Sequence, residues 1–115
     1  MQYLLLTYAN EAAILNAPEE ASTQRRAAYM AYIEAMKLAG VLLGSNRLRP
    51  TSEATTIRAA SGKQSVLDGP FAETKEQLAG YFLIEVPHLD AALSWAARCP
   101  AAQHGAIEVR PIWTM

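Results

Sequence analysis

Two stretches of this chain share one order of elements, strand–helix–strand, and this repetition constrains the fold more than any other feature. Residues 2–49 open with an apolar strand at Gln2–Tyr8, continue with a helix to about Leu38 and end in a second strand. Residues 80–113 repeat the same order. Two such units side by side, each with a right-handed crossover, predict a four-stranded antiparallel sheet with both helices on one face. This is an α+β, ferredoxin-like arrangement.

Local signals set the expected boundaries of the elements. Asn16 is the expected N-cap of the first helix, Pro18 suits its first turn, and Gly40 ends it. Gln2–Tyr8 is apolar on both faces, which predicts a central position in the sheet. The other predicted elements are a strand at Val41–Arg49, a hairpin of Ala54–Ala60 and Lys63–Leu67 around Ser61–Gly62, a strand at Tyr81–Val86, a helix from Pro87 to about Arg98 with Leu89, Ala92, Leu93 and Ala96 inward, and a strand at Ile107–Ile112.

A turn at Asp68–Gly69–Pro70 separates the hairpin from the second unit. Gly69 is free to take positive φ, while Pro70 fixes its own φ and cannot donate a hydrogen bond. Thr74 and Gln77 have the spacing of a capping box, which predicts a short helix that ends at Gly80.

The sheet face turned away from the helices is expected to be partly apolar. A face of this composition is too apolar to remain in water and too polar for a dry core, so we predict a homodimer with sheet facing sheet and a polar cavity between the copies. The residues assigned to this outward face are Tyr3, Leu5, Thr7, Tyr81, Leu83, Glu85, Glu108, Arg110 and Ile112. Arg25 and Arg26 are expected on the solvated side of the first helix.

Composition excludes several classes of function. The 115 residues form one domain, and a formal net charge of −1 gives no electrostatic case for nucleic acid or anionic membrane as a partner. The single cysteine, Cys99, fits a reducing compartment, and neither a signal peptide nor a membrane span is recognisable, so a cytoplasmic location is expected. Two isolated histidines without metal-ligand spacing indicate no metal site, and no cofactor motif occurs.

The candidate catalytic residues are Asp68, His104 and Glu85. Asp68 stands on a rigid turn, where it serves either as a base or ligand anchor or as a cap of its own turn. His104 precedes the last strand and is a candidate for proton transfer, with an ordinary surface histidine as the alternative. The candidate ligand-binding residues are Phe71, Tyr81, Glu108 and Arg110. Glu85, Glu108 and Arg110 either surround a cavity or form an ion-pair network between subunits.

The run Asp68–Leu78, which reads DGPFAETKEQL, leads into Gly80–Ile84, and Trp95–Ala102 is followed by Ile107–Ile112. Together they resemble the DGPF-type proteins of the YCII-related (YciI-like) family over nearly the whole chain. The resemblance implies a ferredoxin-like subunit that dimerises into an α/β barrel.

The resemblance also bears on chemistry. Smaller YciI-like members carry a histidine and an aspartate proposed as an active-site pair, and those positions fall on Tyr29 and Cys99 here, so that mechanism does not carry over. Two hypotheses follow. The first is a small-molecule-binding protein or an enzyme with its pocket at the Asp68 loop and the outward face. The second is a regulatory module, because the resemblance implies an association with extracytoplasmic-function sigma factors.

Overall fold

The computed structural model describes residues 1–114. Six strands and four helices follow one another along the chain, with a single 3₁₀ turn at Thr51–Glu53. In chain order they are β1 (Gln2–Ala9), α1 (Glu11–Leu15), α2 (Glu19–Leu38), β2 (Leu42–Arg47), β3 (Thr55–Ala60), β4 (Lys63–Asp68), β5 (Gln77–Glu85), α3 (Leu89–Arg98), α4 (Ala101–His104) and β6 (Ala106–Pro111).

The main sheet has the order β2-β5-β1-β6, and all of its neighbouring strands are antiparallel. The predicted central position of β1 is confirmed, and Pro111 ends the edge strand β6, where its missing N–H costs no ladder bond. Side chains from α2 and α3 pack on one face of this sheet, around Leu5, Met36 and Ile84. The α+β, ferredoxin-like arrangement of the chain is therefore the observed one.

The C-terminal end of α2 lies where the sequence predicted it, and its N-terminal end does not. Gly40 has φ of 72°, and Val41 N–H donates to Met36 O at 3.1 Å, so the predicted stop is confirmed. The predicted start is wrong. Asn16 ends α1, a helix that the sequence analysis missed, and the cap position of α2 belongs to Pro18. The side chain of Asn10 caps α1 by accepting from Ala13 N–H at 3.0 Å.

The facing of β1 differs from the prediction. Tyr3, Leu5 and Thr7 are buried on the helix side of the sheet, and they do not belong to the outward face. Leu5 lies directly opposite Phe82, and residues opposite each other in an antiparallel pair point to the same face. The outward residues of β1 are Leu4, Leu6 and Tyr8, which alternate with the buried set. Because both faces of β1 are apolar, its own sequence carried no signal for the direction.

The predicted short helix after the Asp68 turn is also wrong. β5 begins at Gln77, which lies opposite Ala9 of β1, and pairing with the central strand outweighs the local capping signal. Gln77 Nε2 donates to Thr74 O at 2.6 Å, so the side chain supports a bend instead of a helix. Gly80 lies inside the strand, where a Cβ atom would stand 2.8 Å from Asn46 O.

The second helix of the repeat, α3, buries smaller side chains against the core than the sequence predicted. Ala92 and Ala96 are buried, but Leu89 and Leu93 remain nearly half exposed. Trp95 packs instead against the ring of Tyr32, at 6.2 Å between ring centroids. The small buried side chains allow α3 to lie close to the sheet.

The β3–β4 hairpin forms a separate two-stranded sheet. Ser61 and Gly62 both have positive φ, 51° and 76°, which matches the predicted two-residue turn. At its base, Gly69 N–H donates to Ala54 O at 2.6 Å. The molecule measures 47 × 44 × 18 Å, and its radius of gyration of 16.1 Å exceeds the value of about 13 Å expected for a compact chain of this length. The molecule is therefore a flat body from which the hairpin extends.

Candidate functional site

A cleft of about 380 Å³ lies between the helix-side face of the sheet and the helices α1 and α2. Side chains of β1, β2 and β5 form its floor, and the N-terminal half of α2 forms one wall. Its lining residues are Thr7, Ala9, Ile14, Leu15, Ser22, Arg25, Arg26, Tyr29, Ile33, Ser45, Asn46, Arg47, Ala79, Gly80, Tyr81, Phe82 and Ala101. The volume falls in the range of small-molecule sites.

Three arginines give this cleft its electrostatic character. Arg25 and Arg26 come from α2, and Arg47 comes from the end of β2, whereas no aspartate or glutamate lines the cleft. Within residues 1–114, the carboxylate ion pairs are Arg49–Glu53 and Arg110–Glu108, so none of the three cleft arginines is neutralised. Unpaired cations in an apolar concavity attract anions, and guanidinium groups match the geometry of carboxylates and similar oxyanions.

Tyr29 stands at the inner wall of the cleft. Burial raises the pKa of its phenol to about 12, the neighbouring Cys99 thiol acts in the same direction, and Arg25 and Arg47 oppose it. Burial also raises the pKa of Cys99, although a backbone hydrogen bond from Ala101 and the Tyr29 hydroxyl act against this. At neutral pH both groups are protonated, so Tyr29 offers the cleft a hydrogen-bond donor and Cys99 is not a thiolate nucleophile.

We predict a loss of stability in alkali that depends on Tyr29. The folded protein holds the phenol proton more tightly than the unfolded chain, so this contribution is complete below a pH of about 10 and is lost as the pH rises through about 12. Urea unfolding across this range should show a falling free energy of unfolding. Tyr29→Phe should reduce the fall while leaving the neutral-pH value nearly unchanged. An identical alkaline slope in the variant would contradict the assignment.

The aromatic packing behind Tyr29 makes this wall rigid. The rings of Tyr29 and Phe82 are nearly parallel with centroids 6.5 Å apart, and Tyr32 meets Phe82 edge-on at 5.3 Å. The Tyr32 hydroxyl donates to Trp95 O at 2.7 Å, which ties α2 to α3. Thr7 satisfies its buried hydroxyl by donating to Gly80 O at 3.1 Å. Groups held in this way keep the floor and wall in place before a ligand arrives.

Asp68 lies at the end of β4, outside this cleft. The residue is exposed, and its carboxylate has no hydrogen-bond partner within residues 1–114, so the turn-capping alternative is not what the structure shows. The turn is held instead by Thr56, whose hydroxyl donates to Gly69 O at 2.8 Å. Gly69 has φ of 108°, as the turn was expected to require. Phe71 is largely exposed and stacks under the guanidinium of Arg58 at 4.7 Å from the ring centroid.

The remaining predicted site residues lie mainly on the outward face. Glu108 pairs with Arg110 and accepts from the Tyr8 hydroxyl at 3.4 Å, so the structure brings these groups together. Tyr81 lies across Leu6 from Glu108, and its hydroxyl accepts from Asn46 Nδ2 at 2.8 Å.

Two of the predicted catalytic residues stand apart from this cluster. Glu85 lies opposite Gln2 at the far end of β5, one row of the sheet beyond Arg110. His104 is the exposed last residue of α4.

The cleft arginines were not among the predicted site residues. Arg25 was expected on the solvated side of α2, yet it is partly buried and lines the cleft. One signal was available, since Arg25 and Tyr29 are four residues apart and therefore share a face of the helix. Arg47 carried no such signal, because its direction depends on its pairing with Gly80.

Two further observations concern the described residues. Residues 1–114 hold no group of three or more histidine, cysteine, aspartate or glutamate side chains placed to share a metal ion. None of the helices in this part of the chain combines the length and the apolar character that a membrane span requires.

Fold and cleft together define a ferredoxin-like α+β protein with a cationic cleft between helix and sheet. The family model of the YCII-related domain matches residues 1–115, and the chain belongs to this family. An uncharacterised protein of Rhizobium meliloti (strain 1021) is 40% identical over 119 residues, which span 97% of this chain and 92% of that protein.

One solved structure is similar in fold. It is the 5-chloro-2-hydroxyhydroquinone dehydrochlorinase TftG from Burkholderia phenoliruptrix AC1100, in complex with 2,5-dihydroxybenzoquinone. The TM-score is 0.55 at 17% sequence identity, over 99% of this chain and 94% of that chain. At this identity the likeness concerns the fold alone.

Proposed function

We propose that this YCII-related protein is a homodimer that binds a small organic anion in the cleft between α2 and the sheet. The observation that carries the proposal is the presence of Arg25, Arg26 and Arg47 around one cavity that no carboxylate of residues 1–114 lines. Arg25 is partly buried, while Arg26 and Arg47 are exposed, so a ligand that enters the cleft meets a positive potential from three sides.

The walls of the cleft suit a flat ligand with a charged oxygen. Phe82, Ile14 and Ile33 supply apolar surface, while Tyr29 offers a phenolic hydrogen bond beside the arginines. An aromatic or quinonoid ring that carries a carboxylate or an ionised hydroxyl meets both requirements. The ligand in the dehydrochlorinase of similar fold, 2,5-dihydroxybenzoquinone, is a compound of this kind.

The homodimer is supported by the outward sheet face. Leu4, Leu6 and Leu83 form its apolar centre, with the paired Glu108 and Arg110 along one side. No helix covers this face, because α2 and α3 both pack on the opposite one. A second copy placed sheet to sheet buries the leucines and leaves the charged pair at the rim, which favours the intersubunit interpretation of Glu108 and Arg110 over a catalytic one.

The binding proposal is tested by titration calorimetry with benzoate, salicylate and 2,5-dihydroxybenzoquinone, and with uncharged benzyl alcohol as the comparison ligand. We expect at least one anion to bind and benzyl alcohol not to bind. Arg25→Leu or Arg47→Leu should each weaken the affinity about tenfold or more, since a hydrogen bond to a charged group contributes about 1.5–3 kcal/mol.

Arg49→Leu is the matched control, because Arg49 is exposed, lies outside the cleft and forms an ion pair with Glu53. It removes the same unit of charge and should change the affinity less than twofold. An equal loss in the control would assign the effect to net charge alone. Binding of benzyl alcohol as tight as that of benzoate would refute an anion site.

A further inference from the structure

The β3–β4 hairpin, residues 55–68, is named the arm here, and it is exposed on both faces. Thirteen of its fourteen residues are solvent-exposed, and the remaining one, Thr56, is partly buried. Its two strands pair with each other and with no strand of the main sheet. A lone two-stranded ribbon is marginally stable in water, so an ordered arm of this length calls for a surface to pack against.

The arm exposes apolar side chains that a second surface could cover. Ile57 and Val66 lie directly opposite each other and share one face, where they are 59% and 57% exposed. Leu67 lies on the other face and is 60% exposed. Cross-strand apolar pairs stabilise a hairpin chiefly when something covers them. Nothing within residues 1–114 covers this pair.

We propose that the arm packs onto a second copy of this chain, so that each subunit of the dimer holds the other with its hairpin. This inference rests on the homodimer of the proposed function and adds the element that completes its interface. The whole molecule, arm included, is only 18 Å along its shortest axis and 47 Å along its longest, so the arm extends within the plane of the flat body and can lie against a copy stacked on that plane.

The area of the outward sheet face supports this assignment. The four strands lie about 4.8 Å apart and average about seven residues at about 3.3 Å per residue, so the face has a flat outline of roughly 450 Å². A standard interface buries about 800 Å² of accessible surface on each partner. An interface that includes the arm, the other apolar surface that extends from the body, reaches that size more readily than the sheet face alone.

Charge and symmetry favour a second copy over an unrelated partner. The arm carries two cations, Arg58 and Lys63, and one carboxylate, Asp68 at its base, whereas Glu85 and Glu108 lie on the outward face. Opposite charges across an interface fix its orientation. A two-fold axis lets both arms find the same complementary surface at once, which leaves neither ribbon in water.

Hydrogen–deuterium exchange of the unmodified protein, measured above and below the concentration at which sedimentation shows the dimer to form, tests the arm directly. We expect the amides of residues 55–68 to be at least tenfold more protected in the dimer than in the monomer. Equal exchange of the arm in both states would overturn the inference, because the arm would then be free or reserved for another partner. A protein that remains monomeric would refute the homodimer as well.

Variants separate the arm from the sheet face. Ile57→Arg should raise the dimer dissociation constant about tenfold or more in sedimentation, and so should Leu6→Arg at the centre of the sheet face. Met30→Arg is the control, because Met30 is 65% exposed on α2, on the helix side of the sheet, and should leave dimerisation unchanged. Dissociation by Leu6→Arg but not by Ile57→Arg would keep the dimer and refute the arm. Thermal unfolding of each variant checks that the subunit still folds.

Discussion

Gly105→Ala is expected to lower the free energy of unfolding by at least about 3 kcal/mol. A Cβ atom at this position would stand 1.9 Å from the carbonyl oxygen of Tyr8 and 3.1 Å from the Cα atom of Ala9. Both atoms belong to the backbone of the central strand, so no side chain can turn aside to make room. Gly105 has φ of −157°, outside the left-handed region, and the close approach of the β1 backbone is the reason that a side chain has no space here.

Two other glycines provide a graded comparison for this prediction. Gly80→Ala should cost less, because its Cβ atom would meet Asn46 O at 2.8 Å on the edge strand β2, which has freedom to shift. Gly44→Ala should change stability little, since nothing lies within 4 Å of the added atom. Urea unfolding of the three variants measures the loss in the free energy of unfolding for each, and we expect Gly105→Ala to lose the most and Gly44→Ala the least. A Gly105→Ala variant as stable as Gly44→Ala would show that β1 and the turn before β6 are not in close contact.

Leu5→Ala is expected to cost about 3 kcal/mol at any protein concentration. Leu5 is 0% exposed and packs between the sheet and the helices, and large-to-small changes at such sites cost about 2–5 kcal/mol. Leu6, the next residue, points to the outward face. Leu6→Ala should therefore cost little in the dilute monomer and progressively more as the dimer forms, because the lost contact lies between subunits.

Unfolding of both variants at several protein concentrations distinguishes the two faces of β1. A concentration-dependent cost for Leu6→Ala and a constant cost for Leu5→Ala is the expected pair of results. The reverse pair would mean that Leu5 faces the partner, which is the face assigned to it from the sequence. A constant, small cost for Leu6→Ala would show that the outward face stays in water, and the homodimer would then be wrong.

The cleft links the fold to the proposed activity through α2. Gly40 and the start at Glu19 place this helix so that Arg25 and Tyr29 face the sheet rather than solvent. Arg47 reaches the same cavity from β2 because it pairs with Gly80 of β5. Cys99, from the end of α3, completes the buried environment of the Tyr29 phenol. Tyr29 and Cys99, the two positions that the family resemblance matched to a histidine and an aspartate, are therefore neighbours beside the cationic cleft.

Features encoded within a few residues were predictable from the sequence. The order of the elements follows from the periodicity of apolar residues, and the stops and turns follow from residues that tolerate positive φ, as at Gly40 and at Ser61–Gly62. The family resemblance rested on contiguous runs such as Asp68–Leu78 and was confirmed over the whole chain. Each of these features depends on sterics and backbone hydrogen bonds within a few residues, so it does not depend on the tertiary structure.

Features that depend on distant partners were decided by the tertiary structure. Tyr3, Leu5 and Thr7 face the helices because of the register between β1 and β5, and both faces of β1 are equally apolar in sequence. Gln77 joins a strand because pairing with Ala9 outweighs a local helix signal. The three arginines line one cleft because α2 and β2 come together over one end of the sheet. Arg47 is far from Arg25 and Arg26 in the sequence, so the sequence alone did not predict that they share a cavity. Local chemistry thus determines the secondary-structure elements of this protein, and long-range strand pairing determines which of their side chains come together in the core and in the cleft.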